Sequence, residues 1–177
     1  PVPSSAASDV YKRQGHSFNQ TGFAIIKNHG LKKELTDELY KVIKAFFDLE
    51  DEKKIKYYFP DLYGQRGYVV KGQEHAKGSK KGDLKEFFHI GNPSISNPQN
   101  IWPHEVESFN EIGSEVFITL ENIGLTLLRA ISMYLNLDIN YFEDKVKGGE
   151  SILRSIHYFP LDPSDISDGA VRAVSYT

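Results

Sequence analysis

Histidines are the side chains best suited to acid–base or metal chemistry here, and there are six: His16, His29, His75, His89, His104 and His157. A mononuclear iron site of the facial-triad type needs two histidines and a carboxylate, commonly a His-x-Asp/Glu pair plus a distant histidine. No histidine in this chain has an acidic residue two positions later. His104-Glu105 opens like a zinc-protease helix, but Ser108 stands where the second histidine is required. His29 and His89 close predicted strands and His157 lies inside one, where a histidine ordinarily serves as a hydrogen-bonded structural residue. The glycines match neither a phosphate loop nor a dinucleotide fingerprint. No Gly-x-Ser-x-Gly elbow is present for a serine hydrolase. The absence of cysteine excludes a thiol nucleophile, thiolate metal sites and a disulfide framework. Four lysines and one aspartate fall between Lys77 and Lys85. With no aromatic platform among them, they predict a solvated loop rather than a phosphate-binding surface.

The elements that would position such groups follow from hydrophobic periodicity. Gly22-Phe23-Ala24-Ile25-Ile26-Lys27-Asn28, closed by His29-Gly30, predicts a buried strand ending in a turn. Leu35, Leu39, Val42, Ile43, Phe46 and Phe47 step at helical spacing, predicting a helix over about 33–48. The charged stretch from Leu49 to Lys54 predicts a solvated turn and helix start. Glycines and prolines crowd 60–103, an irregular stretch broken by short strands near Tyr68-Val69-Val70 and Glu86-Phe87-Phe88-His89-Ile90. Long irregular segments within a domain are often functional. From Pro103, Val106, Phe109, Ile112, Val116, Leu120, Ile123, Leu127, Ile131 and Leu135 predict a helix of about 45 Å at 1.5 Å per residue. It should lie across a sheet or barrel, because one face is polar. A short helix near 139–146 follows. Ser151 to Phe159 then reads as a strand stopped by Pro160 and Pro163. Alternation places Leu153, Ser155, His157 and Phe159 on one face, and Ile152, Arg154, Ile156 and Tyr158 on the other.

The chain has 177 residues, 40% hydrophobic and 25% charged, within the range of one ordinary globular domain. A net charge of -3 gives no reason to expect a nucleic-acid partner. No uninterrupted apolar run reaches the roughly 18 residues of a membrane span, so no membrane partner is expected. A cytoplasmic setting fits this composition. Residues 1–14 and 174–177 contain Asp9-Val10-Tyr11-Lys12-Arg13-Gln14 and Val174-Ser175-Tyr176-Thr177, which resemble translated sequencing-adapter strings. They are expected to lie outside the fold. The residues themselves thus predict a soluble α+β chain with a functional-looking loop.

Three segments carry a resemblance. Gly22 to Gly30 is similar to the early Gly-Phe-…-Asn-His-Gly segment of the isopenicillin N synthase-like oxygenases. Gly72-Gln73-Glu74-His75-Ala76-Lys77, followed by Asp83 to Gly91, is similar to the loop and strand that come next in bacterial members. Ser151 to Pro160 resembles the strand that opens their core. The resemblance implies an N-terminal region over 15–150 and the first strand and loop of the oxygenase core over 151–173. It also implies a distorted jelly roll, a double-stranded β-helix of the cupin kind, with the long helix packed outside. The barrel would be incomplete here.

The family holds Fe(II) with two histidines and one aspartate and uses 2-oxoglutarate and O2 to hydroxylate, desaturate or cyclise a small-molecule substrate. Isopenicillin N synthase itself uses no 2-oxoglutarate. The resemblance places the His-x-Asp pair at about 174–177 and the distal histidine further on, so this chain is expected to lack all three metal ligands and to be inactive alone. The Arg-x-Ser that binds the 2-oxoglutarate carboxylate is also missing: Arg13, Arg66, Arg129, Arg154 and Arg172 are not followed two positions later by serine. What the resemblance leaves is one wall of the site. His157 falls where the family has Asn, His or Arg beside the iron and 2-oxoglutarate. Phe159 falls where plant members have Tyr, and Tyr158 is the alternative carrier of that hydroxyl. Tyr68, Glu74, Lys85 and Glu86 are candidates for the substrate entrance, although Lys85 and Glu86 could instead pair across a strand. The alternative function is a non-enzymatic interaction module built from the same N-terminal half.

Overall fold

A computed structural model describes residues 5–74, 82–95 and 98–161. The chain divides into two compact units, Pro1–Lys33 with Ile118–Gly149, and Glu34–Phe117 with Glu150–Thr177. The candidate site residues all belong to the second.

In the second unit, helix α2 (Lys33–Phe47) forms where its periodicity predicts. Glu34 in its first turn and Lys44 in its last complement the helix dipole. Its apolar stripe buries Val42, Ile43, Phe46 and Phe47. Helix α3 (Asp51–Lys54) and two 3-10 turns, Ile55–Tyr57 and Pro60–Leu62, carry the chain to strand β1 (Gly67–Val69). Strands β2 (Glu86–Gly91) and β3 (Ile152–His157) complete an antiparallel sheet ordered β1-β2-β3. Glu86 pairs with His157 and Gly91 with Ile152 in register. Tyr68 pairs with Phe88 on the other side. The fold class is therefore α+β, and the sheet is open.

Opposed residues in an antiparallel ladder share a face. One face carries Tyr68, Glu86, Phe88, Ile90, Leu153, Ser155 and His157, and it packs on α2. Phe46 is the hub, with Phe47, Tyr57, Tyr68, Phe88 and Phe109 around it at ring-centroid distances of 4.7–6.0 Å, all edge-on. Edge-to-face contact is the favoured aromatic geometry. Tyr57 also ties the loop before α4: its hydroxyl donates to Glu105 and accepts the His104 N–H at 2.9 Å. The His104-Glu105 pair thus serves as a clamp.

The opposite face carries Phe87, His89, Gly91 and Arg154. Arg66 is buried and its guanidinium lies over Gly91, where a Cβ would overlap it. Asn100 brackets the Gly91 peptide, accepting its N–H at 2.7 Å and donating to its carbonyl at 3.0 Å. Gly91→Ala is therefore expected to cost about 1–3 kcal/mol by overpacking. Urea unfolding of the variant measures this, and an unchanged midpoint would contradict it.

Helix α4 (Phe109–Tyr134) is the long helix, starting six residues later than Pro103 suggested because 103–108 is taken up by turns. Its first part buries Phe109, Val116 and Phe117. By length and composition alone α4 would be long and apolar enough to cross a bilayer. Glu111, Glu115, Glu121 and Arg129 interrupt its apolar residues, so no uninterrupted apolar run marks it in the sequence.

In the first unit one expectation is corrected. Helix α1 (Ser5–Thr21) includes residues 5–14 of the adapter-like stretch. Its Gly15 is needed, because a Cβ there would overlap the Tyr134 ring. The correction concerns Gly22 to Asn28, which forms no strand. Its Phe23 carbonyl is taken by the Ser17 and Thr21 hydroxyls, at 2.8 and 3.0 Å, and no strand lies beside it among the described residues. Phe23 and Ile25 are 79% and 93% exposed. The turn is as predicted, with Asn28 and Gly30 both at positive φ. There His29 Nδ1 accepts the Leu31 N–H at 3.2 Å, a structural role. Helix α5 (Glu143–Val146) follows, and Glu143 pairs with Arg129 of α4.

Candidate functional site

Strand alternation turns His157 toward α2, and the β2–β3 register sets Glu86 directly opposite it. Glu86 is fully buried. Its carboxylate accepts from His157 Nδ1 at 2.7 Å, from Lys54 Nζ at 3.0 Å, and from the Tyr68 hydroxyl. Lys54, itself buried, also pairs with Asp51 at 2.9 Å. His157 stacks on Phe47, centroids 4.8 Å apart at 24°, and meets the edge of Phe159 at 6.4 Å. Lys71 Nζ lies 4.6 Å from the Phe159 ring centroid, a cation–π distance. His157 remains 33% exposed, so one side of this cluster opens outward.

The electrostatics follow from burial against pairing. Burial alone would raise the Glu86 pKa, but the bonds from Tyr68, His157 and Lys54 outweigh it and hold the carboxyl below its ordinary range. Burial would lower the Lys54 pKa, and bonds to Asp51 and Glu86 raise it instead. Tyr68 is pushed up by burial and by Glu86. All three therefore hold their ordinary charge at neutral pH: an anion, a cation and a neutral phenol.

The other sheet face holds a second polar cluster. Glu74 pairs with Arg154 at 3.1 Å and with Lys85 at 3.8 Å, and Lys85 pairs with Asp83 at 2.7 Å. Arg154 and Lys85 lie 4.7 and 5.2 Å from the centroid of the buried Phe87 ring. His89, beside Phe87, donates from Nδ1 to the Gly64 carbonyl. Burial lowers its pKa, which keeps the ring neutral. His89 is thus structural, as predicted.

The predicted site residues divide between these clusters. His157, Phe159, Tyr68 and Glu86 come together, whereas Glu74 and Lys85 lie on the opposite face. Tyr158 is near enough to Lys85 to help raise its pKa. Lys85 and Glu86 do not pair with each other, because neighbouring strand residues point to opposite faces. Lys85 is also buried rather than solvated, while Lys77, Lys80, Lys81 and His75 lie outside the described residues. Sequence reasoning missed Lys54 and Phe47. Phe47 was legible only as helix core, and Lys54 was hidden in a charged run that reads as solvated surface.

An iron ion does not fit the described residues. Among them no three His, Asp or Glu side chains are grouped to hold a metal. Glu86 and His157 are turned on each other, and the Glu86 oxygens are already filled by donors. The positions expected for the His-x-Asp pair, 174–177, lie outside the described residues.

Comparison with known proteins gives the class. The family described as "non-haem dioxygenase in morphine synthesis N-terminal" matches residues 2–105. The chain belongs to this family, the N-terminal region of non-haem iron, 2-oxoglutarate-dependent dioxygenases. Leucoanthocyanidin dioxygenase of Malus domestica is 33% identical over 145 residues, covering 80% of this chain and 40% of that protein. Proline hydroxylase buaE of Petromyces alliaceus is 30% identical over 168 residues, covering 91% and 53%. Among solved structures, a 2OG-Fe(II) oxygenase family protein from Caulobacter crescentus superposes with a TM-score of 0.78 at 34% identity, covering 89% of this chain and 54% of that one. A full-length Neurospora crassa protein solved in complex with alpha-KG gives 0.81 at 25% identity, covering 98% and 56%. The chain thus spans about half the length of the relatives it matches.

Proposed function

We propose that this chain is the N-terminal part of an enzyme that couples decarboxylation of 2-oxoglutarate and reduction of O2, at Fe(II), to oxidation of a small molecule. The observation that carries the reading is the likeness, at 34% identity and over 89% of the chain, to a 2OG-Fe(II) oxygenase family protein. The open three-stranded sheet is the start of a distorted jelly roll, with β3 as its first core strand. His157 and Phe159 form a wall of the cavity on the iron and 2-oxoglutarate side, backed by Phe47 and Glu86. The iron would supply the oxidising chemistry. The residues here orient: Phe47 and Phe159 fix the plane of the His157 ring, and Lys54 and Tyr68 hold Glu86 ionised beneath it.

In this reading the metal ligands lie outside the present sequence, which contains no His-x-Asp or His-x-Glu pair. The chain alone should then be inactive. The test is release of labelled CO2 from 1-labelled 2-oxoglutarate with Fe(II) and ascorbate. The chain extended by the sequence that follows it in its gene is expected to release CO2, and the 177-residue chain only the blank. Turnover by the short chain, or none by a folded extended chain, would overturn the proposal.

A further inference from the structure

We propose that Glu86 is a positioning residue that fixes the His157 imidazole in its Nδ1–H tautomer, leaving Nε2 as an outward-facing acceptor for a hydroxyl or bound water. Only the identity of what meets Nε2 rests on the proposed function; the tautomer rests on geometry alone.

Four constraints converge on this ring. The ladder pairs Glu86 with His157 directly, so backbone register brings the two side chains together on one face. The carboxylate cannot swing away, because it is fully buried and Lys54 and Tyr68 both donate to it. An ionised carboxylate only accepts, so the ring nitrogen 2.7 Å from Oε1 must carry the proton. The imidazole plane is set by Phe47 stacked on it at 4.8 Å and Phe159 at its edge. Nε2 makes no hydrogen bond among the described residues, and the ring is a third exposed. A histidine free in water favours the opposite tautomer, with the proton on Nε2. The bond that one ring nitrogen makes decides what the other offers.

The test uses the 15N-labelled 177-residue chain, with long-range 1H–15N correlation of the histidine rings well above the histidine titration range. His157 is expected to show a protonated, pyrrole-type Nδ1 and an unprotonated, pyridine-type Nε2. A protonated Nε2 in the folded chain would overturn the proposal without any variant. Glu86→Asp keeps the charge beside Lys54 but withdraws the carboxylate from Nδ1. It is expected to shift His157 toward the Nε2–H form, as is Glu86→Gln where it folds. An unchanged Nδ1–H signal in Glu86→Asp would show that Glu86 does not set the tautomer. This readout needs no iron and no turnover, so it can fail while the decarboxylation assay succeeds, and the reverse.

Discussion

Glu86→Ala is expected to destabilise the fold by about 3–5 kcal/mol, the cost of breaking a buried charge pair from one side. The side chain removed is the acceptor for Lys54, Tyr68 and His157 together. Lys54 would keep Asp51, but that aspartate is exposed, so the ammonium would be left buried beside a poorly held partner. Tyr68 would lose its acceptor inside the core. Urea unfolding of wild type and variant measures the loss. Replacing the pair together, as Lys54→Met with Glu86→Leu, should recover much of it, because an apolar pair leaves no uncompensated charge. A single-variant loss within about 0.5 kcal/mol would place Glu86 with ordinary surface positions and contradict the account.

The same carboxylate gives a pH signature. Its pKa in the fold lies below the ordinary 4.5. The unfolded chain therefore binds the proton more readily, and stability from Glu86 is present above 4.5 and lost as pH falls through the folded value. His89 acts earlier. Its folded pKa lies below the ordinary 6.5, so its contribution is present above 6.5 and declines as pH falls from there toward the folded value. Wild-type unfolding midpoints should thus drop in two stages on acidification, and Glu86→Gln should flatten the lower one.

Phe46→Ala is expected to have an effect of similar size, about 3–5 kcal/mol. Phe46 is fully buried and touches five other aromatic rings contributed by α2, the Ile55–Tyr57 turn, β1, β2 and α4. Those rings are tied to separate elements, so they cannot all move in to fill the space. Phe46→Leu should cost clearly less, because it keeps more of the volume. Thermal or urea unfolding compares the two, and equal losses would show that the retained volume does not matter at this position.

The elements were legible where periodicity is strong. The spacing of Val42, Ile43, Phe46 and Phe47 gives α2 and its buried face. The alternation through β3 correctly separates His157 from Arg154 and Ile156. The pairing of Glu86 with His157 was not legible, since it depends on a register between strands 71 positions apart. Lys54 was misjudged for a related reason: in Glu50-Asp51-Glu52-Lys53-Lys54 nothing local distinguishes the one residue that folds inward. The segment Gly22–Asn28 has the alternation of a strand, with Ala24 and Ile26 more covered than Phe23 and Ile25, but alternation cannot supply a partner strand. The family resemblance rested on three segments: Gly22–Gly30, Gly72–Lys77 with Asp83–Gly91, and Ser151–Pro160. It pointed to the class that composition and helix periodicity could not reach.

As proposed, these residues form a wall of an oxygenase site whose iron ligands they do not include. Anaerobic calorimetric titration of the 177-residue chain with Fe(II) tests this most directly. No saturable site is expected. One-to-one binding at micromolar affinity or tighter, abolished by His157→Ala, would contradict it.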